Sequence, residues 1–301
     1  MGVATRHDQR RRGQLLTAGG AIAWSTAGLF QRGIDATAPT QAAGRALVAG
    51  VALLLFASLT MRRRPLAMLR SLGRPGWGIA VFYAIASGSF LFSLSLTSVA
   101  HVMLIQSATP LIAALLARFL LGEAIFPRTW AAMACAVVGI GIMVGGSFDG
   151  GSVLGDALSI VNAFSFACVI VVARRARPGT TPLAGCFAQF LVVAALAPFA
   201  TVSGLGAADA FGLVSVGLIQ MFLGITLFTA GARLIPAAQA SLLTLLEVIL
   251  APFWVWLAFG ETPGAATVVG GAILLGALVV HVLLDVRAER DVLRAERAAA
   301  G

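Results

Sequence analysis

The chain has 301 residues, of which 59% are hydrophobic and 11% charged, with a mean hydropathy of +0.96 and a net charge of +9. A soluble domain carries roughly 25% charged residues, so a water-soluble globule is excluded. All 21 basic residues are arginine, which excludes a GxxxxGK[ST] phosphate loop and a lysine Schiff base, and with them direct ATP drive and retinal chemistry.

Apolar runs of about 20 residues match the bilayer's hydrocarbon thickness when coiled as helices. Ten such segments follow one another near 14–31, 41–60, 77–97, 99–119, 129–146, 154–173, 183–202, 211–231, 237–258 and 264–284. The first, preceded by Arg10, Arg11 and Arg12 and followed by Ala36-Thr37-Ala38, has features of a signal peptide. It is long for one, and Pro39 would follow the cut, so it reads as a retained span. The fold class is therefore all-α: a polytopic membrane protein with ten transmembrane helices.

Arginine placement gives an orientation. Nineteen arginines lie ahead of odd spans or behind even ones, including four in the tail after Asp285, while the opposite side holds Arg32 and, at a helix start, Arg45. Basic residues concentrate on the cytoplasmic side, which places both termini there and makes 285–301 a cytoplasmic charged tail. The net charge thus reflects topology, and no nucleic-acid partner is expected. Cys135, Cys168 and Cys186 lie within apolar runs without CxxC spacing and read as small packing residues. No metal or cofactor is expected.

An internal repeat organises these spans. AHVMLIQSATPLIAALLARFLLGEA from Ala100 aligns with AQASLLTLLEVILAPFWVWLAFGET from Ala238, ending in Gly122-Glu123 and Gly260-Glu261. GQLLTAGGAIAWS from Gly13 similarly resembles GDALSIVNAFSFA from Gly155. The halves are 1–146 and 152–284. Five spans in each make the second half enter the membrane from the other side, the inverted repeat common among secondary transporters, with a substrate site near the midplane.

Polar residues inside spans mark candidate lining. In the ninth span Ser241, Thr244, Glu247, Ala251 and Trp254 share one face. A charge at the bilayer centre costs about 2.5–3.5 kcal/mol on insertion scales, so Glu247 should face inward, as a packing residue or a substrate contact. Gln106, Pro110, Ala113 and Ala117 form the fourth span's equivalent stripe, with His101 towards the outside. Pro110 reads as a hinge or a tolerated membrane proline. Asn162 with Phe166, Gln220 with Gly224, and the aromatics Trp24 and Tyr83 are further candidates, each with a packing alternative. Glycines such as Gly141 and Gly145 allow close helix approach and leave monomer or homodimer open.

Ala23-Trp24-Ser25, Pro110 followed by LLARFLLGE through Glu123, Gly139, and Leu246-Glu247 running to Gly260-Glu261 resemble the drug/metabolite transporter superfamily, in its ten-span EamA-type branch. The resemblance covers nearly the whole chain and speaks for fold more than for cargo. Where such chains often have Glu-Pro, this one has Glu247-Val248, so the proline kink is expected to be missing there, with Pro252 one turn on. The resemblance implies an exporter of small molecules in a bacterial inner membrane, with amino acids, including aromatic ones, as expected cargo and drugs as the alternative. With no arginine expected near a span centre, phosphorylated anions are disfavoured. A membrane enzyme lacks a convergent set, since only His101 and Glu247 pair and no HxxxH or HExxH occurs, and a passive channel is the remaining class.

Overall fold

A computed structural model describes the chain except residues 1–2, 27–28, 31–32, 62–64, 98, 145–151, 177–179, 202, 261, 263 and 301, and among the described residues there is no strand. Gly145, Arg32 and Glu261, singled out in the sequence, lie outside this description. The helices are α1 (Val3–Ser25), α2 (Ala38–Met61), a short α3 (Pro65–Ser71), α4 (Gly73–Leu96), α5 (Val99–Gln106), α6 (Thr109–Leu121), α7 (Pro127–Val144), α8 (Val153–Arg175), α9 (Thr180–Leu196), α10 (Ala207–Ser215), α11 (Gly224–Ala232), α12 (Ala237–Thr244), α13 (Leu246–Phe259) and α14 (Ala265–Ala300). Val216–Leu223, between α10 and α11, is wound as a π-helix.

Eight of these segments, counting α5–α6, α10–α11 and α12–α13 as one each, are long and apolar enough to cross a membrane. The apolar half of α1 and the shorter helix Pro127–Met143 complete ten transmembrane helices. Large apolar side chains such as Leu59, Phe119, Phe211 and Leu257 are exposed on the outside of the bundle. That is the surface expected against lipid, whose tails carry no penalty for contacting leucine or phenylalanine.

The element boundaries shift from those read in the sequence for physical reasons. α2 begins at Ala38 with Pro39 in its first turn, where a missing N–H costs nothing and the fixed φ suits the helix. α14 runs on through the charged tail to Ala300. Its alanine, glutamate, arginine and leucine residues are good helix formers, so the tail is a continuation of the tenth span.

Packing obeys the exchange of the two halves. The third span (α4) packs along the sixth (α8), and the first (α1) along the eighth (α11). The third span also meets the seventh (α9), as the second (α2) meets the π-stretch of the eighth. Second and seventh, fourth and ninth, and fifth and tenth pack on each other, so each contact maps onto another when spans one to five trade places with six to ten. The paired spans run in opposite directions. Along α1 the partners fall from Leu234 at Gly13 to Phe228 at Gly20 and Gly224 at Trp24, which makes α1 and α11 antiparallel.

Equivalent ends are built alike. α6 and α13 both stop at a glycine in the left-handed region, Gly122 and Gly260, each at φ 69°. The Gly122 N–H donates to Arg118 O at 3.2 Å and that of Gly260 to Trp256 O at 2.9 Å. Two inverted five-helix repeats therefore share one local solution for leaving the membrane, and a side chain with Cβ would be strained at either glycine.

Two apolar cores result. One joins the first, second, third, sixth, seventh and eighth spans around Trp24, Leu53, Tyr83, Ile170, Ile225 and Phe228, and reaches Ala117 of the fourth and Ala237, Ala240 and Leu243 of the ninth. The other joins the fourth, fifth, ninth and tenth through Ala114, Met133, Ile140, Leu242, Leu274 and Leu278.

Candidate functional site

The fourth and ninth spans are both broken, and at equivalent places. Helix α5 ends at Gln106, Ser107 and Ala108 form a turn, and α6 restarts at Thr109 with Pro110 in its first turn. In the ninth span the single residue Leu245 interrupts the helix, and α13 restarts at Leu246. Tight three-residue bonds form at both, from Ala108 N–H to Ile105 O and from Leu245 N–H to Leu242 O, each 3.1 Å. The missing proline at Val248 therefore does not remove the kink expected to go with it. Backbone geometry alone produces the ninth-span break, while Pro252 sits inside α13.

Each restart places a polar side chain in its first turn. The Thr109 hydroxyl is buried without a hydrogen-bond partner, and Glu247 occupies the matching position in α13. A carboxylate in the first turn complements the positive end of the helix dipole. Glu247 is half-buried.

Between the halves lies an aromatic cluster. Trp24 stands 5.6 Å from Phe166 and 4.9 Å from Phe228, centroid to centroid. Phe166 stacks on Phe228 at 5.4 Å and receives Tyr83 edge-on at 6.2 Å. Aligning Gly13 with Gly155 makes Trp24 and Phe166 repeat equivalents, so two symmetry-related rings meet at the centre of the bundle. The same alignment pairs Gly20 with Asn162. A methyl on Gly20 would lie 3.1 Å from Gly224 O, and Asn162 donates through Nδ2 to Ala86 O at 2.8 Å. One half thus closes its crossing with a bare backbone, the other with a side-chain hydrogen bond.

This geometry can be set beside known proteins. A profile of the EamA-like transporter family matches the chain twice, over residues 11–145 and 153–283. The chain belongs to the EamA-like transporter family. An uncharacterized transporter of Archaeoglobus fulgidus is 26% identical over 216 residues, covering 70% of this chain and 78% of that one. A protein of known crystal structure superposes with a TM-score of 0.78 at 21% identity, covering 93% of this chain and 99% of its own, which shows a shared fold.

In this EamA-like transporter one prominent polar residue was misplaced by sequence reasoning. Arg45 is no loop arginine at a helix start. It lies two turns inside α2 and is only 2% exposed. Its Nη2 makes one long contact, 3.5 Å, to Ser87 O on α4, and its Nη1 is buried without a hydrogen-bond partner. Arg45 and Glu247 make no ion pair with each other; the Arg45 contact to Ser87 O sets its guanidinium one turn from Tyr83 on α4. The premise that no cation lies deep in the spans is thereby overturned. Pro39 was the available signal: a proline favours the first helical turn, which sets Arg45 one and a half turns or more inside.

The other sequence candidates divide. Gln106 Oε1, the second amide atom of Asn162 (Oδ1) and Gln220 Oε1 are buried without partners. Gln220 lies in the π-stretch, three residues beyond Gly217, where a methyl would meet Arg45 O at 3.0 Å. Buried polar atoms are nearly always paired, so this set is unusual. Gln189 on α9, missed in the sequence, joins it, with both amide atoms buried and unpartnered.

His101 belongs elsewhere. Its Nδ1 lies 3.0 Å from Asp156 Oδ1, which also accepts from Thr97 at 2.9 Å, so it ties α5 and α4 to the start of α8. At the opposite end Glu123 accepts from Arg174 Nε at 2.9 Å and from the Ala237 N–H at 3.1 Å, and Arg174 donates to Arg233 O at 2.8 Å. Among the described residues no group of three metal-ligating side chains occurs.

Proposed function

We propose that the chain is a secondary exporter of amino acids or closely related small metabolites, working by alternating access between its two inverted repeats. The membership of a transporter family makes small-molecule transport the general activity. The observation that carries the finer reading is the pair of matched helix breaks in the fourth and ninth spans, with Glu247 in the first turn after one of them, together with an aromatic cluster between the halves. Broken helices at mid-span offer backbone groups and helix ends to a polar cargo, while rings suit an apolar side chain. Such a mixture fits an amphipathic zwitterion. We place the protein in a bacterial inner membrane with both termini cytoplasmic, on the distribution of its arginines.

Counterflow tests it. Proteoliposomes loaded with unlabelled Thr, Met, Phe or Trp should take up the labelled amino acid faster than unloaded ones. A second reading, an exporter of amphipathic drugs, is favoured by the four rings of the cluster, Trp24, Tyr83, Phe166 and Phe228. It replaces the first if a cationic drug exchanges and no amino acid does. Ion current in a planar bilayer without saturable exchange would replace both with a channel.

A further inference from the structure

The winding of the eighth span decides which neighbour each of its residues meets. Val216–Leu223 is a π-helix of 8 residues between α10 and α11. A π-turn closes one residue later than an α-turn and is frequent at functional sites. Contacts with the second span show the wider turn directly. A methyl on Gly44 would lie 3.1 Å from Leu213 Cδ1, and one on Gly217 would lie 2.6 Å from Val48 Cβ. Phe56 then meets Phe222, with ring centroids 5.8 Å apart. The face turned to the second span thus runs Leu213, Gly217, Phe222, a step of four residues followed by one of five. On a continuous α-helix a face recurs at three, four and seven residues, which would bring Gln220 or Met221 there, and then Gly224.

Instead Gly224 receives Trp24 of the first span, whose Cδ1 would lie 2.6 Å from a methyl on that glycine. Phe228, one turn on, packs against the same ring at 4.9 Å. Gln220 and Met221 are turned into the bundle, 5% and 8% exposed, and Gln220 Oε1 finds no partner there. The extra residue is therefore what delivers Gly224 and Phe228 to the aromatic cluster. Exchange of the halves carries this interface onto the one between the seventh and third spans, where the third span is an uninterrupted α-helix, Gly73–Leu96. One interface is made in two windings.

We propose that Val216–Leu223 is a winding switch of the transport cycle: π in the state shown, α in the opposite one, when the second half takes the conformation now held by the first. Rewinding turns α11 by one residue, about 100°, which withdraws Gly224 and Phe228 from Trp24 and brings Gln220 round to the second span. The aromatic cluster is assembled in one state and dismantled in the other. This rests on alternating access between the repeats and is independent of which cargo is carried.

The test removes the extra residue from the full-length chain. Leu218 is 41% exposed on the outside of the bundle, and its deletion lets an α-helix keep Gly217, Gly224 and Phe228 on their present neighbours. A cysteine in place of Ala117, buried beside Glu123 at 1% exposure, reports opening without any cargo once the exposed Cys135 is serine. The deletion variant should melt no lower than the parent. Its labelling at position 117 by a polar maleimide, and its counterflow of Thr, Met, Phe or Trp, should fall about tenfold or more, because a state that cannot be reached holds no population. Leu218→Ala, of full length, should match the parent in both. A length-neutral variant decides the matter should the deletion disturb folding. Phe56→Cys with Phe222→Cys, bridged by a short bis-methanethiosulfonate, holds Phe222 on the second span. Bridging should slow labelling at position 117 by a similar factor relative to Phe56→Cys alone treated alike.

Parental labelling in a folded deletion variant or in the bridged chain overturns the switch, as does a parent that never labels at position 117. If the parent exchanges none of the four amino acids while the deletion still suppresses labelling, the amino acid reading fails and the switch stands. If the deletion variant exchanges them at the parental rate, the switch fails and the transport reading stands.

Discussion

Asn162 shows how a single side chain can hold a crossing together and still offer chemistry. Its Nδ2 bonds Ala86 O while Oδ1 stays unpartnered. Asn162→Leu removes this bond while Ala86 O keeps its place in the helix and the Ser89 hydroxyl, so it should cost about 0.5–1.5 kcal/mol, read as a fall in melting temperature of a few degrees. An unchanged melting temperature would mean that the bond to Ala86 contributes nothing. The equivalent crossing has no bond to lose but is sterically tight. A methyl on Gly224 would lie 2.6 Å from Trp24 Cδ1, so Gly224→Ala must push Trp24 out of its contact with Phe228. Counterflow should fall several-fold in that variant, with a shift in tryptophan fluorescence; wild-type fluorescence and rate together would show that the ring has room to move. At this scale the sequence was a partial guide. Inward-facing residues such as Glu247, Asn162 and Gln220 stand out because polar side chains are rare in apolar runs. Arg45 reads as a boundary residue because one turn of helix decides its depth, and Phe228 carries no signal that sets it apart from neighbouring packing residues, whereas Gln189 carries the same signal as Gln220, a lone amide in an apolar run.

At the scale of elements, the paired breaks in the fourth and ninth spans are the feature that matters. The fourth was legible from Pro110, the ninth was not, because Leu245 is an ordinary helix former and the interruption there has no local sequence cause. The π-stretch Val216–Leu223 is equally invisible, since with Gln220 as its one polar residue the segment has no periodicity from which a wider turn could be read. A break that forms without proline in one repeat need not depend on proline in the other. Pro110→Ala should therefore keep the turn at Ser107–Ala108 and at least half of the transport rate, while Ser107 Oγ still bonds Leu104 O. A continuous helix over 99–121 in the variant's structure, or loss of transport, would show instead that proline maintains the break. The repeat itself was legible from the two Gly-Glu ends and the parity of the spans. The contacts that make it physical, such as Trp24 meeting Phe166, depend on side chains far apart in the chain.

For the whole molecule, the alternating access proposed above requires contacts at each end that are strong enough to close and weak enough to release. Glu123 fits that description. It joins three spans at once, accepting from Arg174 at the end of the sixth and from the first N–H of the ninth, close to where the fourth ends. Both side chains of the ion pair keep about a quarter of their surface accessible, 26% and 22%, so solvent weakens the pair and it can open. At the opposite end Trp254 Nε1 donates to Ser25 Oγ at 2.8 Å, joining ninth and first spans, the exchange-related partners of fourth and sixth. The exchange-related clasps therefore join equivalent pairs of elements by different chemistry, an ion pair between Glu123 and Arg174 and a neutral bond between Trp254 and Ser25, with the His101–Asp156 contact as a further tie at the second end. Removing the ionic contact should bias the molecule towards opening at the Glu123 end by about 1–2 kcal/mol, the worth of a charge-assisted bond, or a five- to thirtyfold shift in population. A cysteine in place of Ala117, buried beside this clasp at 1% exposure, reports it once the exposed Cys135 has been replaced by serine. Glu123→Gln and Arg174→Gln should each speed its labelling by a polar maleimide, and together no more than either alone, because both remove one interaction. Unchanged labelling with a lowered melting temperature would make the clasp a fixed structural tie, and additive effects would assign the two residues to separate contacts.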